Sequence, residues 1–108
     1  MPDETRGPLT EPVFYVLLAL HTPLHGYGVM KYVNEISDGR INLGPGTLYG
    51  ALTTLTEKGW IAPVPGGADD RKKNYVVTDD GRSIVVAELK RLDELLRNGR
   101  RVVGEESR

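Results

Sequence analysis

The stretch LGPGTLYGAL, Leu43 to Leu52, decides how this chain is read. It sets three glycines and a proline around the start of an apolar pattern at helical spacing. Leu48, Leu52 and Leu55, with Ala51 beside them, make a narrow inner face. The pattern predicts a helix from Pro45 to about Lys58. Pro45 sits early in it, where a missing amide costs nothing, and Gly59 supplies the stop. Thr47, Tyr49, Gly50, Thr53, Thr54 and Glu57 fall around the outer face. Glycine-rich turns that open helices can receive phosphate on their free amides. A nucleotide-binding loop, however, needs a lysine next to Ser or Thr and a buried strand before it. Here Thr47 follows Gly46 directly, no lysine is present and the preceding segment is short and mixed. Two readings remain: a helix end that meets the backbone of a nucleic acid, or a tight turn that meets no phosphate.

Upstream, residues 1–8 read as a flexible lead-in. Thr10 then offers an N-cap, followed by Glu11 and Pro12 in a first turn. Val13, Phe14, Val16, Leu17, Leu18 and Leu20 make that helix apolar nearly all round, so more than one side needs cover, and a second subunit could supply it. A turn from His21 to Gly26 leads to a second helix that runs to about Ser37 and is stopped by Asp38-Gly39. Arg40 to Leu43 could form one small strand.

Downstream, Trp60–Val64 and Asn74–Thr78 read as two strands around a loop rich in glycine and charge. Pro63 places the first of them at an edge or irregular position. Thr78 caps a last helix, with Asp79 and Asp80 at its positive end. Along it Val85, Leu89, Leu92 and Leu96 recur at four-three-four spacing. That stripe reaches too far past the hairpin for a small core to cover, which predicts pairing with another chain.

Composition narrows the functional classes. With 108 residues the chain is expected to form one domain with a modest core. No apolar run suits a membrane span, and MPDETRGPLTEPV is too acidic and polar for a secretory signal. The absence of cysteine removes disulfides and thiolate chemistry, in keeping with the cytoplasm. His21 and His25 stand four residues apart, but Pro23 interrupts any helix between them, and no acidic or cysteine cluster completes a metal site. His25 reads instead as a cap of the second helix. No nucleophile–base–orienter set is visible, so neither an enzyme nor a cofactor is expected. The formal net charge is −1, yet up to Asp70 four basic residues face eight acidic ones, and beyond it ten face seven. The densest basic cluster is Arg71-Lys72-Lys73, and such a patch can bind polyanions on a near-neutral protein.

Three short helices followed by a hairpin with a basic tip make the winged helix-turn-helix arrangement, mainly α with a small β-hairpin. The residues add a resemblance. PLHGY (Pro23 to Tyr27), PGTLY (Pro45 to Tyr49), LTEKGWI (Leu55 to Ile61), RKKNY (Arg71 to Tyr75) and VTDDG (Val77 to Gly81) resemble the PadR family of bacterial transcriptional regulators. The match runs from about Thr10 to Leu96, and the short tail resembles the compact branch of the family. The resemblance implies a DNA-binding domain over residues 9–78, a dimerisation helix over 79–103 packed on the partner's first helix, and a flexible tail over 104–108.

On that reading Gly44, Pro45, Gly46, Thr47, Tyr49, Gly50, Thr53, Thr54, Arg71, Lys72 and Lys73 meet double-stranded DNA. Phe14, Leu18, Val85, Leu89, Leu92 and Leu96 form the homodimer contact, a pocket that could admit a small hydrophobic or aromatic effector. Family members often carry Arg or Lys after the Leu-Tyr pair and again a turn later, where this chain has Gly50 and Thr54. In some compact relatives an aromatic residue of the last helix helps sandwich flat molecules; here Leu89 and Leu92 stand on that face, and Trp60 reads as core packing. The expected function is a homodimeric regulator, a repressor on a pseudo-palindromic operator. The alternative is a dimeric winged-helix interaction module that does not bind DNA.

Overall fold

The computed structural model describes residues 7–65 and 73–104. Its elements are α1 (Glu11–Ala19), β1 (Leu24–His25), α2 (Gly26–Ile36), α3 (Pro45–Glu57), β2 (Ile61–Val64), β3 (Asn74–Val77) and α4 (Asp79–Val103). The fold is mainly helical with a small antiparallel sheet: three helices, a hairpin wing and one long helix, the winged-helix arrangement. No helix among the described residues is long and apolar enough to cross a membrane.

The helix ends lie where local chemistry puts them. Thr10 Oγ1 accepts from the Val13 amide at 3.3 Å, and His25 Nδ1 accepts from the Gly28 amide at 3.2 Å, so this histidine is a cap. Thr78 Oγ1 accepts from the Gly81 amide at 3.1 Å. Each satisfies one amide that the first helical turn leaves without a partner. Asp38 and Gly39 both take the left-handed conformation that ends α2, and Gly59 does the same after α3.

The core lies where one face of each element converges. Leu17 of α1 and Leu20 just after it, Val29 and Val33 of α2, and Leu48, Leu52 and Leu55 of α3 are all buried. Ile61, Val77, Ile84 and Val85 close it from the wing and from α4. The apolar first helix is thus largely accounted for within the protomer: Val13, Phe14, Tyr15 and Leu18 are half-buried against this core. Trp60 is also half-buried against it, as expected, with the Lys58 ammonium 5.1 Å from its ring centre.

The sheet differs from the sequence reading. Arg40–Leu43 forms no strand; the third strand is β1, inside the turn after α1, and the order is β1-β3-β2. Leu24 pairs with Tyr75 and His25 with Asn74, and the Val77 amide donates to the Leu20 carbonyl at 2.8 Å beside them. Two residues are too few to show a period, and their pairing depends on the free edge that β3 presents. The 40–43 segment is held differently. The buried Ser37 hydroxyl donates to the Val33 carbonyl at 2.7 Å and accepts from the Ile41 amide at 3.0 Å. Arg40 pairs with Glu11 across the surface.

Where the wing meets α4, the backbones nearly touch. A Cβ on Gly81 would fall 2.1 Å from the Trp60 carbonyl oxygen and 2.6 Å from the Val77 side chain. The Thr78 amide donates to that same carbonyl at 3.0 Å, and the Thr78 hydroxyl donates to the Gly59 carbonyl at 2.7 Å. The start of α4 is therefore bolted to the junction of α3 and β2. Further along, Glu88 is only 2 % exposed. Its carboxylate accepts from the Arg91 Nη2 at 2.6 Å and Nε at 3.0 Å, and from the Leu9 amide at 3.4 Å. A buried carboxylate is tolerated because it is paired and hydrogen-bonded.

Two expectations follow. Gly81→Ala forces backbone apart, not a flexible side chain, and should destabilise the fold by about 1–3 kcal/mol, read in thermal unfolding. Ser83→Ala, exposed on the same helix, should stay within about 0.5 kcal/mol of the parent. The Arg40 guanidinium, chiefly by its hydrogen bond, holds the Glu11 carboxyl below its ordinary 4.5. That pair therefore adds stability above this value and loses it as pH falls through the depressed pKa. Arg40→Gln should lower the melting midpoint slightly at neutral pH and leave it unchanged in strong acid.

Candidate nucleic-acid interface

The residues singled out on the third helix all come to the surface together. Gly44, Pro45, Gly46, Thr47, Tyr49, Gly50, Thr53 and Thr54 are exposed, while Leu48, Leu52 and Leu55 on the opposite side are buried. Burial of one leucine stripe turns the hydroxyl and glycine face outward. Gly44 is the N-cap of α3 and provides no side-chain hydrogen bond. The other three helices each have a side-chain cap. The first amides of α3 thus keep the capacity to donate, at the positive end of the helix dipole.

Tyr49 is among the residues expected to meet DNA. The structure adds a reason for its position. A Cβ on Gly26 would lie 2.5 Å from the Tyr49 hydroxyl oxygen and 2.9 Å from its Cζ. The ring therefore rests on the first residue of α2, and glycine there is what lets it lie flat. This contact joins the HGY and GTLY segments, which are far apart in sequence. Half of Tyr49 remains exposed beside the start of α3.

The wing is placed by β2 and β3, paired in register from Ile61↔Val77 to Val64↔Asn74. Lys73, at the foot of the loop, is exposed. Arg71 and Lys72, the other two members of the basic cluster, lie outside the described residues.

The proposed dimer residues separate into two groups. Val85 is buried in the protomer's own core, so it is not available to a partner or a pocket. Its place in the four-three-four stripe could not reveal this, because the stripe passes from the core to the surface without a break. Phe14 and Leu18 are half-buried. Leu89 and Leu96 are each 50 % exposed and Leu92 39 %. Val86 and Leu95, which flank the stripe in the sequence, extend this apolar surface, as do Val102 and Val103, which the sequence reading left out. Glu88 and Gly81 were also missed. The signal for Gly81 was its position one turn inside a capped helix, where glycine is otherwise unfavourable. His21 Nδ1 bonds the Leu17 carbonyl at 2.9 Å, and no group of three potential metal ligands occurs among the described residues.

Residues 15–87 match the family model of the PadR-like transcriptional regulators. The chain is 36 % identical over 66 residues to an uncharacterised 37.1 kDa protein in transposon TN4556 of Streptomyces fradiae, and spans 18 % of that protein's length. Among solved structures it is similar to a PadR family transcriptional regulator from Eggerthella lenta, at 25 % identity and a TM-score of 0.66. That match covers 88 % of this chain and 82 % of that one. It is also similar to Bacillus subtilis PadR in complex with operator DNA, at 26 % identity and a TM-score of 0.64, covering 77 % and 48 % of the two chains.

Proposed function

This chain belongs to the PadR-like family of transcriptional regulators, which are not enzymes, and from that membership we propose that it binds double-stranded DNA as a cytoplasmic homodimeric repressor. The observation that carries the proposal is the outward face of α3. Its uncapped first turn, exposed glycines and free hydroxyls suit a surface that approaches phosphate and base edges closely. In a dimer, two such helices would enter the major groove about one helical turn apart on a pseudo-palindromic operator. Arg71, Lys72 and Lys73 on each wing would add phosphate contacts.

The second half of the proposal concerns α4. Its 25 residues make a rod about 37 Å long, of which only the first turns pack on the domain. Leu89, Leu92, Leu96 and Val103 follow a three-four-seven spacing, the seam of a two-helix pairing. A partner's helix and the Phe14–Leu18 side of its α1 would cover that seam. A small hydrophobic or aromatic effector entering there would alter the spacing of the two recognition helices, provided it binds one spacing better than the other.

An interaction module without DNA binding is favoured by one observation, the lack of any Arg or Lys within α3. A gel-shift assay on the chain's own promoter decides between the two. If the wings of a dimer neutralise six phosphates, affinity should fall about a thousandfold between about 50 and 200 mM salt. Replacing Arg71, Lys72 and Lys73 by alanine should remove most of that dependence. A flat response to salt, or unchanged binding by the triple variant, overturns the wing contacts, and a duplex that is not shifted even at low salt argues for the module.

Sedimentation tests the dimer. The parent should run as two chains at micromolar concentration, and a Leu89→Glu, Leu96→Glu variant as one, with its helical circular dichroism retained. A parent that already runs as a single chain rules the dimer out.

A further inference from the structure

We infer that α3 reads the 5-methyl groups of thymine, through the γ-methyls of Thr53 and Thr54, and not the hydrogen-bonding edge of guanine. The inference rests on the DNA-binding reading above and names what that surface recognises.

The helix PGTLYGALTTLTE contains no Arg, Lys, Asn, Gln or His. Bidentate recognition of guanine requires a guanidinium or ammonium, and that of adenine an amide. None is available here. Glu57, able to accept from cytosine, stands at the last position. Lys58, the nearest following cation, is engaged over the Trp60 ring at 5.1 Å. What remains on the exposed side, Tyr49 apart, is small and partly apolar.

Gly50 gives the second observation. It lies in the middle of α3, where glycine is less favourable than alanine. Its φ is not positive, and a Cβ added to it would meet nothing within 4 Å. Neither backbone strain nor packing inside the protomer accounts for it, in contrast to Gly26 and Gly81. A helix lacking a Cβ at this point can sit closer to whatever faces it. Thr53 and Thr54 follow three and four residues later, on the adjoining surface. Both are exposed, and among the described residues neither hydroxyl makes a hydrogen bond. Thr56, half-buried on the same helix, instead donates to the Leu52 carbonyl at 2.8 Å.

A threonine hydroxyl can bond to any base and discriminates little. Its methyl group discriminates, because the major groove presents an apolar group only at thymine. Two methyls beside a glycine gap form a surface that fits neighbouring thymines and leaves guanine N7 and O6 without a partner.

The test begins with duplexes selected by the intact protein from a random pool in dilute buffer. Replacing half-site thymines by deoxyuridine removes only the methyl and should weaken binding about tenfold. The Thr53→Ser, Thr54→Ser variant, which lacks the protein methyls, should bind the thymine and uracil duplexes equally. The Thr53→Val, Thr54→Val variant, which keeps them, should still prefer thymine. Gly50→Ala should weaken binding to both duplexes while its melting midpoint stays level or rises, which separates this effect from misfolding. Equal binding of the parent to the two duplexes overturns the inference, as does a loss of affinity when half-site guanines are replaced by 7-deazaguanine. In both of those cases DNA binding stands. If no duplex is retained at low salt, the DNA-binding reading itself falls.

Discussion

The close approach of Gly81 to the Trp60 carbonyl is the constraint on which the rest of the molecule depends. Only a residue without a side chain lets the first turn of α4 lie against the backbone where α3 passes into β2. The Thr78 hydroxyl reinforces the same joint from both sides, capping α4 and donating to the Gly59 carbonyl. One end of α3, the base of the wing and the start of the long helix therefore meet in a single tightly packed corner.

A second set of ties fixes the other end of α3. Ser37 and the Glu11–Arg40 pair hold the loop that leads into it, and Tyr49 rests on Gly26. With both ends fastened and one leucine stripe buried, the rotation of α3 about its axis is settled. This allows its outer face to consist of glycine, threonine and tyrosine, none of which contributes to the core. Glycine then has two meanings in one fold. At Gly26 and Gly81 it makes room for another part of the same chain. At Gly50 no described residue occupies the room.

Glu88 holds the base of the free part of α4. Its carboxylate is bonded to Arg91 on its own helix and to the Leu9 amide ahead of α1. Beyond it the helix leaves the core, and its apolar residues turn from buried Ile84 and Val85 to exposed Leu89, Leu92 and Leu96. Val85 lies on the core side of that change and Leu89 on the other. The change from buried to exposed along this stripe is thus four residues wide.

The four helices, their caps, the two wing strands and the outward face of α3 were legible in the sequence, because each depends on neighbours within a turn or two. Thr10, His25 and Thr78 reach amides three residues away, and the leucine spacing of α3 states which side is buried. The tertiary structure alone decided the rest. The β1 pairing requires β3 to present an edge beside a turn some fifty residues earlier, and neither strand segment encodes the other. The buried Glu88 looks in sequence like any charge on an amphipathic helix. Val85 and Leu89 share one periodic stripe, and only the extent of the packed domain separates them. The needs of Gly26 and Gly81 arise from atoms distant in sequence, since an excluded volume becomes visible only when the two pieces of chain are brought together.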